Sequence, residues 1–430
     1  MTSTASPAAP SGPIHILVGR GSKHLFEDFR DPRVRVHSAG DGETLPDDVV
    51  PDLVIVRCGT AQTLDLSDPG VPARVWAAIA AGRTGLVFDA SGEGRFHTPQ
   101  RTDILHGFLE ARAIPPTHAV YLTQDRRYRE DYLAHRAATG GGPTMSVLLH
   151  DLWIWRFTAQ FEVRGQAILD ERLHQFRARP SSRPRRFVSL NFTPRPTKVL
   201  FLLSLMRDDL WRRGFISFGG FDQHQHANGE DLAAFRRLMR RLEGFEDLAA
   251  ELSPLLDQLD AYGQVLFGKV RRKEDDPRFV KGTPHRDAKV VEFDRSWFTV
   301  ITETEMRDWP SRITEKPLKP LANFHPLLTF GNPGSLRMLR ELGFATFEDV
   351  IDESYDDELH PRRRFDMVYA EVTRLCSMGQ AGLGRLEARI ADKLEANARW
   401  GLVDLPRLRR PQIHAALIDQ ILTAVRAGAT

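Results

Sequence analysis

Several features that would place a chain quickly are scarce or missing here. The 430 residues include two cysteines, Cys58 and Cys376, far apart in sequence, which argues against a disulfide framework and favours a reducing compartment. Lys and Arg number 59 against 57 Asp and Glu, so no global charge draws the chain to nucleic acid or to an anionic membrane. No run approaches the roughly 20 apolar residues that a membrane-spanning helix needs. We therefore expect a cytoplasmic protein whose membrane contacts are at most peripheral.

The composition is that of a folded protein. Hydrophobic residues make up 41% and charged residues 27% of the chain, which is ordinary for a globular protein. The length predicts two or three domains with substantial cores. Residues Met1 to Pro13 are rich in Ser, Ala and Pro but lack the basic and apolar regions of a signal peptide, so we expect a disordered tail there.

Short apolar runs without polar alternation characterise the first half, and such runs are typical of parallel strands covered on both faces. They are Ile14–Val18, Leu53–Arg57, Leu86–Asp89 and Ala119–Leu122. Helical stretches in the same region supply the crossovers that parallel strands require. The sequence therefore predicts an α/β sheet domain over residues 14–177.

A second α/β pattern follows the Pro- and Arg-rich segment Arg177–Arg186, which we interpret as a solvated crossing between domains. Its predicted strands are Phe187–Leu190, Phe215–Phe218 and Trp297–Ile301. We assign residues 185–355 to this second domain and residues 356–430 to C-terminal helices. The acidic stretch Asp352–Glu358 abuts a run of arginines at 362–364, and we expect a solvated, self-compensating charge cluster.

The segment Thr314-Glu315-Lys316 is the most informative in the chain. Its pattern predicts a helix that opens at Thr314, with Glu315 and Lys316 in the first turn. Free N–H groups and Lys316 would stabilise a diphosphate, while the Glu315 carboxylate suits a ribose diol. The bland alternative is an ordinary capped, amphipathic helix. Order and spacing favour a nucleotide-sugar site, because an apolar run and the turn from Gly331 to Gly334 follow directly.

Two further blocks lie upstream. The predicted strand from Phe187 leads to Asn191 and then to Arg195 at the entry to a helix; Arg195 could clamp phosphate oxygens in a bidentate manner, and Asn191 could orient the loop or contact the donor. Alternatively, Asn191 forms a turn and Arg195 is a solvated cap. Glu303 falls near the carboxyl end of a probable parallel strand, where open α/β sheets bind ligands.

These three blocks together resemble the α1,3-fucosyltransferase family and its bacterial relatives over about residues 185–355. The sequence departs from the family at Thr304, where the family usually has Asn, and this departure leaves the role of Glu303 open. The resemblance implies the GT-B architecture, in which two Rossmann-like domains are followed by helices that commonly return to the first domain. It also implies an inverting reaction, GDP as the favoured nucleotide, and neither a metal nor another cofactor.

The general base of such a reaction would come from the first domain, where no family resemblance guides the choice. The segment after the strand Leu86–Asp89 contains Asp89, Glu93 and His97, each of which could take a proton from an acceptor hydroxyl. The competing interpretation is that Asp89 caps a turn and that His97 is a surface histidine.

The sequence thus predicts a glycosyltransferase that moves a sugar from a nucleoside diphosphate to a hydroxyl acceptor in glycan or glycoconjugate synthesis. In this interpretation Thr314, Glu315, Lys316, Asn191, Arg195 and Glu303 form the donor site with Gly331 and Gly334. One alternative is a non-catalytic protein that binds a glycan or a partner on a degenerate transferase fold. A more distant one is a nucleic-acid binder, which only the basic segment Arg177–Arg186 supports.

Overall fold

The fold is described from a computed structural model. The structure describes residues 12–19, 31–39, 44–58, 70–92, 96–191, 194–218, 220–221, 232–259, 291–307 and 311–428. The predicted tail Met1 to Pro13 lies almost entirely outside these ranges. The chain divides into a first unit, Met1–Leu152 with Leu408–Thr430, and a second unit, Trp153–Arg407.

The first unit is built on a six-stranded parallel sheet with the order β2-β1-β3-β4-β5-β6. The strands are β1 Ile14–Val18, β2 Val34–Ser38, β3 Leu53–Arg57, β4 Gly85–Asp89, β5 Ala119–Thr123 and β6 Ser146–Leu149. One face is covered by the helices Ala73–Ala80, Pro99–Glu110 and Tyr128–Ala138. The order reverses between β1 and β3, which makes this a doubly wound sheet. The α/β prediction is confirmed, and β2 and β6 are strands that the sequence did not indicate.

The other face of this sheet is covered by the C-terminal helix Arg410–Ala427. Its apolar residues recur at helical spacing on the side that meets the strands. They are Leu417, Ile418, Ile421, Leu422 and Val425. This helix therefore completes the core of the first unit. The GT-B resemblance implied such an arrangement, in which helices at the end of the chain pack on the first domain.

The second unit contains a four-stranded parallel sheet with the order β10-β9-β7-β8. Its strands are β7 Phe187–Asn191, β8 Gly214–Phe218, β9 Phe298–Thr302 and β10 Leu327–Phe330. Its helices are Leu152–Ala159, Gly165–Arg177, Pro196–Arg207, Leu232–Met239, Glu246–Leu252, Leu318–Leu321, Ser335–Glu341, Pro361–Ser377, Gln380–Arg389 and Ala391–Arg399, followed by the π-helical Trp400–Arg409. The chain is therefore α/β in both units. Among the described helices, none has the length and apolar character that crossing a bilayer requires.

The division between the units falls at residue 152 rather than at the predicted 177. The helix Gly165–Arg177 is held by partners in the second unit: Arg172 Nη1 donates to the Ala322 carbonyl at 3.0 Å, and Arg177 pairs with Glu395 at 3.2 Å. The predicted C-terminal block is likewise divided, since residues up to 407 belong to the second unit and the last helix to the first.

The Arg177–Arg186 segment is largely exposed, but two of its arginines are not solvated as its charge indicated. The side chains of Arg179 and Arg183 are 3% and 2% exposed. Arg179 donates to Asp294 at 3.0 Å and to two backbone carbonyls. Arg183 donates to the Ser296 carbonyl at 2.9 Å and grips Glu387 with both terminal nitrogens. Because charge can be buried when it is paired and hydrogen-bonded, these arginines act as internal staples and are not available to a nucleic acid.

Candidate functional site

The second sheet has its topological switch point between β7 and β9, since the chain moves outward to β8 and then to β10 on the other side. The ladder between β7 and β9 consists of Phe187 opposite Phe298 and Val188 opposite Thr299. Beyond it, the Thr302 hydroxyl donates to the Asn191 side-chain oxygen, and Asn191 Nδ2 donates to Ser189 Oγ at 2.9 Å. Asn191 thus ties the strand ends together. Open α/β sheets bind ligands at this position.

The helix Pro196–Arg207 begins at this switch point. Arg195 is its N-cap and Pro196 occupies the first helical position, where a missing N–H costs nothing. From Val199 to Leu203 the residues are apolar and fully buried, so packing fixes the helix with its N-terminus at the ends of the strands.

Lys198 lies in the first turn of this helix and is 6% exposed. Its ammonium makes no hydrogen bond or ion pair with any residue in the described part of the chain. The neighbouring Thr197 hydroxyl oxygen is also buried and has no hydrogen-bond partner there. A buried hydroxyl without a hydrogen-bond partner is costly, and burial disfavours the charged form of the lysine.

Glu303, directly after β9, organises the segment that follows it. Its carboxylate accepts from the Thr314 hydroxyl at 2.6 Å and from Lys316 Nζ at 2.6 Å. The carboxylate is buried, while the Lys316 side chain is 26% exposed. Glu303 therefore fixes the position of Lys316, whose ammonium still reaches solvent. Both Glu303 oxygens have partners within the protein.

The predicted Thr-Glu-Lys helix is absent. Thr314, Glu315 and Lys316 lie in an irregular segment, and the helix after them is the single turn Leu318–Leu321. Pro317 disfavours helical geometry at Lys316, and Pro320 ends any extension because it lacks an N–H. The helix that begins at the strand ends of this sheet is instead Pro196–Arg207.

The electrostatics of the site are dominated by Lys198. Burial lowers the pKa of Lys198 to about 7, and the positive charges of Lys316 and Arg195 add to this effect against Glu303 and Glu315. Burial by itself raises the pKa of Glu303, but Lys316 and Thr314 outweigh it and hold the pKa below its ordinary value. Glu303 is therefore a carboxylate at neutral pH, and Lys198 is divided between its charged and neutral forms.

The turn from Gly331 to Gly334 follows β10 and approaches Glu303. A Cβ at Gly331 would lie 3.3 Å from Glu303 Cγ and 3.0 Å from both Thr329 Cγ2 and Ser335 Oγ. Gly334 has φ of 75°, a conformation that favours glycine. A side chain at Gly331 would therefore crowd Glu303 and its neighbours, and the backbone conformation favours glycine at Gly334.

The acidic stretch and the arginines near residue 360 support this turn rather than forming a solvated cluster. Asp356 is 3% exposed and accepts from the backbone N–H groups of Leu336 and Arg337 at 2.8 and 3.0 Å. Arg364 is 1% exposed and donates from Nε to the Gly331 carbonyl at 2.9 Å. The expectation of a self-compensating surface cluster is wrong at these two residues, because each satisfies backbone groups of the turn or of the helix after it.

Glu303, Thr314 and Lys316, which the sequence singled out, are joined by hydrogen bonds. Arg195 and Glu315 lie within electrostatic range of Lys198, and Glu315 is 9% exposed. Lys198 was not among the predicted residues. The signal that could have found it is a lysine two positions after a helix-opening proline, at a position that the apolar pattern makes buried.

The base candidates lie in the first unit, apart from Glu93, which is outside the described residues. Asp89 ends β4 and accepts from the backbone N–H and the hydroxyl of Ser91 at 3.0 and 2.6 Å. His97 shares a hydrogen bond between Nε2 and Thr102 Oγ1 at 2.8 Å. Burial, assisted by His135, lowers the pKa of His97. His97 is therefore neutral at physiological pH, and Asp89 has the turn-capping contacts of the simpler interpretation.

Comparisons with known proteins give little beyond this. No family model matches the chain, and no curated protein matches it. Among solved structures, α,α-trehalose 6-phosphate synthase from Burkholderia multivorans is similar, with 13% identity and a TM-score of 0.37, over 88% of this chain and 73% of that chain. This similarity is too low to support a fold assignment, so the description of the fold rests on the strand orders of the two sheets.

Proposed function

We propose that the protein is a glycosyltransferase that takes a sugar from a nucleoside diphosphate sugar bound at the switch point of the second sheet. The observation that supports this most is the position of Lys198, a lysine only 6% exposed in the first turn of the helix that follows β7. A cation withdrawn from water is stabilised when a ligand of opposite charge meets it.

A diphosphate fits this site better than a single carboxylate would. Lys198, Lys316 and Arg195 bring three positive charges to the place where the helix Pro196–Arg207 presents its first N–H groups. The helix N-terminus carries about half a unit of positive charge. The carboxylates of Glu303 and Glu315 offset part of this field, so the site retains an excess of positive charge for a dianion.

The carboxylates take different roles in this proposal. Glu303 is a positioning residue, because both of its oxygens are used by Thr314 and Lys316. Glu315, adjacent to Lys316 and nearly buried, is the candidate for the ribose diol. The departure of this chain from the fucosyltransferase pattern at Thr304 agrees with a Glu303 that acts through Lys316 rather than on the donor.

In the proposed reaction the acceptor hydroxyl oxygen bonds to the anomeric carbon while the bond from that carbon to the diphosphate oxygen breaks. Lys198, Lys316 and Arg195 stabilise the charge that develops on the leaving diphosphate. The acceptor proton passes to a base, for which Asp89, Glu93 and His97 remain the candidates. Inversion and the preference for GDP follow only from the resemblance to fucosyltransferases.

The proposal is tested by measuring the melting temperature with GDP, UDP, ADP and dTDP in turn. Inorganic pyrophosphate, measured separately, is the reference. A bound nucleotide raises the melting temperature through linkage, and the matching nucleotide sugars should release diphosphate slowly without an acceptor. Lys198→Met should reduce the shift at the same nucleotide concentration. Lys393→Met is the matched control, since Lys393 is bonded to Glu348 and to the Thr346 carbonyl on the surface of the same unit.

A lack of response to every nucleotide would overturn the proposal, as would an equal response in wild type and Lys198→Met. Stabilisation by nucleotides with no release of diphosphate from any nucleotide sugar, even with glycan acceptors, would favour the non-catalytic alternative.

A further inference from the structure

Two tyrosine hydroxyls in the core of the first unit are buried, and no described residue bonds to them. Tyr121 lies in β5, and Tyr128 is the first residue of the helix Tyr128–Ala138. Both side chains are fully buried, and their rings stack with centroids 4.2 Å apart and an angle of 15° between the planes. Because a buried polar group without a partner is costly, a ligand that accepts from both hydroxyls would be stabilised here.

Tyr132, one turn further along the same helix, has the opposite arrangement. Its hydroxyl oxygen shares a hydrogen bond with His106 Nε2 at 2.9 Å and accepts from the Met145 N–H at 2.9 Å. The same residue type in the same apolar cluster is therefore bonded within the protein, and Tyr132 serves as a reference for the other two tyrosines.

Tyr121 and Tyr128 lie beside the starts of two helices, Pro99–Glu110 and Tyr128–Ala138. These helices have 12 and 11 residues and follow β4 and β5, so both begin at the carboxyl edge of the sheet. Their starts are adjacent, because the ring of His97, two residues before the first helix, meets the Tyr128 ring edge-on with centroids 5.6 Å apart. Two helix N-termini give this place a positive potential that favours an anion.

Arg101, in the first turn of the helix Pro99–Glu110, adds a formal positive charge. Its Nη1 atom is buried and has no hydrogen-bond partner among the described residues, while the residue as a whole is partly exposed. Burial raises the pKa of both Tyr121 and Tyr128, and the charge of Arg101 opposes part of this rise. Both phenols therefore remain O–H donors at neutral pH, and Arg101 lies within electrostatic range of them.

The carboxylates that follow β4 and β5 are engaged locally. Asp89 accepts from the backbone N–H and the hydroxyl of Ser91 at 3.0 and 2.6 Å. Asp125 accepts from the Arg127 N–H at 3.2 Å. Neither carboxylate supplies the acceptor that the two tyrosine hydroxyls lack among the described residues.

We propose that the first unit binds a small oxyanion, or an oxyanion group of a larger ligand, on the hydroxyls of Tyr121 and Tyr128 and on Arg101. Three donors beside two helix N-termini favour an acceptor that carries negative charge. The inference does not rest on the proposed function, which concerns the sheet of the second unit.

The site is tested with inorganic phosphate, sulfate and acetate, added in turn to the full-length protein at an ionic strength held constant with sodium chloride. A bound anion raises the melting temperature through linkage. We expect phosphate and sulfate to raise it above the value in chloride alone. A rise with acetate as well would extend the site to carboxylates, whereas no rise with any of the three would overturn the proposal.

Tyr121→Phe and Tyr128→Phe each remove one hydroxyl and keep the stacked rings. Each should weaken the apparent phosphate affinity about tenfold, as expected for one lost hydrogen bond to a charged group. Without an anion, each variant should be at least as stable as wild type, because the hydroxyl that it loses is buried and unbonded. An unchanged phosphate affinity in both variants would overturn the proposal.

Tyr132→Phe is the matched control. It removes a hydroxyl that is bonded within the protein, so it should lower the melting temperature and leave the phosphate affinity unchanged. If Tyr121→Phe and Tyr128→Phe lower the melting temperature of the anion-free protein as much as Tyr132→Phe does, their hydroxyls are structural and the proposal is wrong.

Lys198→Met separates this site from the proposed donor site, which could bind the same anions. The response to phosphate should persist in Lys198→Met and weaken in Tyr121→Phe. A response that disappears in Lys198→Met and is unchanged in Tyr121→Phe would overturn the inference and leave the proposed function in place. A lack of response to nucleotides would overturn the proposed function and leave this inference in place.

Discussion

The second unit buries positive charge in two regions, and they are arranged in opposite ways. In the segment before β7, Arg183 is enclosed with Glu387, a backbone carbonyl and the face of Trp297, whose ring centre lies 3.9 Å from the guanidinium. At the opposite end of β7, Lys198 is enclosed without an acceptor among the described residues. Burial alone therefore does not distinguish a structural cation from a functional one; the distinction lies in whether the protein supplies the counter-charge.

The difference also has an energetic side. A matched buried ion pair is costly to break because the remaining partner is left uncompensated. An unmatched buried cation reduces the stability of the free protein, and that cost is recovered when a ligand binds. The two regions should consequently respond to mutation in opposite ways, one in stability and the other in affinity.

The largest expected effect is on stability at the matched region. Arg183→Met removes both bonds to Glu387 and should lower the free energy of unfolding by about 3 kcal/mol, as expected for one broken partly buried pair. Urea unfolding monitored by circular dichroism measures this loss. Nucleotide affinity of the folded fraction should stay at the wild-type value. An Arg183→Met protein as stable as wild type would mean that the buried guanidinium is not a staple.

Lys198→Met is the mirror image and the next largest effect. Affinity for the nucleotide should fall about thirtyfold, or about 2 kcal/mol, the range for one lost bond to a charged group. The free energy of unfolding should equal or exceed that of wild type at pH 7, because methionine fits a buried apolar position without a charge to desolvate.

The difference in free energy of unfolding between wild type and Lys198→Met should itself depend on pH. The pKa of Lys198 is lowered to about 7 in the folded state from 10.5 in the unfolded state. Below pH 7 the lysine therefore destabilises the folded protein to the full extent. That destabilisation is relieved between pH 7 and 10.5, since the unfolded chain then binds more protons. Any advantage of Lys198→Met should therefore shrink over this window. If Lys198→Met is less stable than wild type at every pH, Lys198 has a structural role.

Arg195→Lys tests whether the helix N-cap makes a two-pronged contact. A point charge cannot reproduce the planar fork of a guanidinium, so turnover or nucleotide affinity should fall about tenfold, near 1.4 kcal/mol. The stability should not change, because Arg195 makes no side-chain hydrogen bond as a cap. Near wild-type kinetics with a nucleotide sugar would show that Arg195 is only a solvated cap.

The central strands of both sheets could be predicted because they are buried on both faces and read as unbroken apolar runs. The strands β2 and β6 could not, since they lie at the edges of their sheet. Val34–Ser38 alternates Val with Arg and His, and its residues Arg35 and Val36 are exposed. Edge strands contain residue types that also occur in loops, so the local sequence does not separate the two. Pairing with the neighbouring strand is what makes such a segment a strand.

The sequence singled out Glu303, Thr314 and Lys316, which hydrogen bonds join, but it indicated neither their geometry nor Lys198. Local sequence favoured a helix at Thr314, yet Pro317 and Pro320 prevent it. Glu303 and Lys316 were both assigned to the donor site, with the role of Glu303 left open, and a 2.6 Å bond couples them. The pairing of Arg183 with Glu387 could not be predicted either, because the two residues are 204 positions apart. Partners at such separation decide whether a charge is solvated, and a single sequence does not contain them.

The smallest expected effect comes from the turn beside Glu303. Gly331→Ala adds a methyl group 3.3 Å from Glu303 Cγ, and displacement of Glu303 should move Lys316 with it. Nucleotide affinity should fall about threefold, near 0.6 kcal/mol, with a stability loss of about 1 kcal/mol from overpacking. Gly107→Ala is the matched control, because nothing lies within 4 Å of a Cβ there and alanine favours its helix by about 0.5–1 kcal/mol. Calorimetry on both variants separates the two roles of Glu303. If Gly331→Ala loses stability but binds the nucleotide as wild type does, the position of Lys316 is not critical for the diphosphate, and the affinity of the site is due to Lys198 and the helix N-terminus.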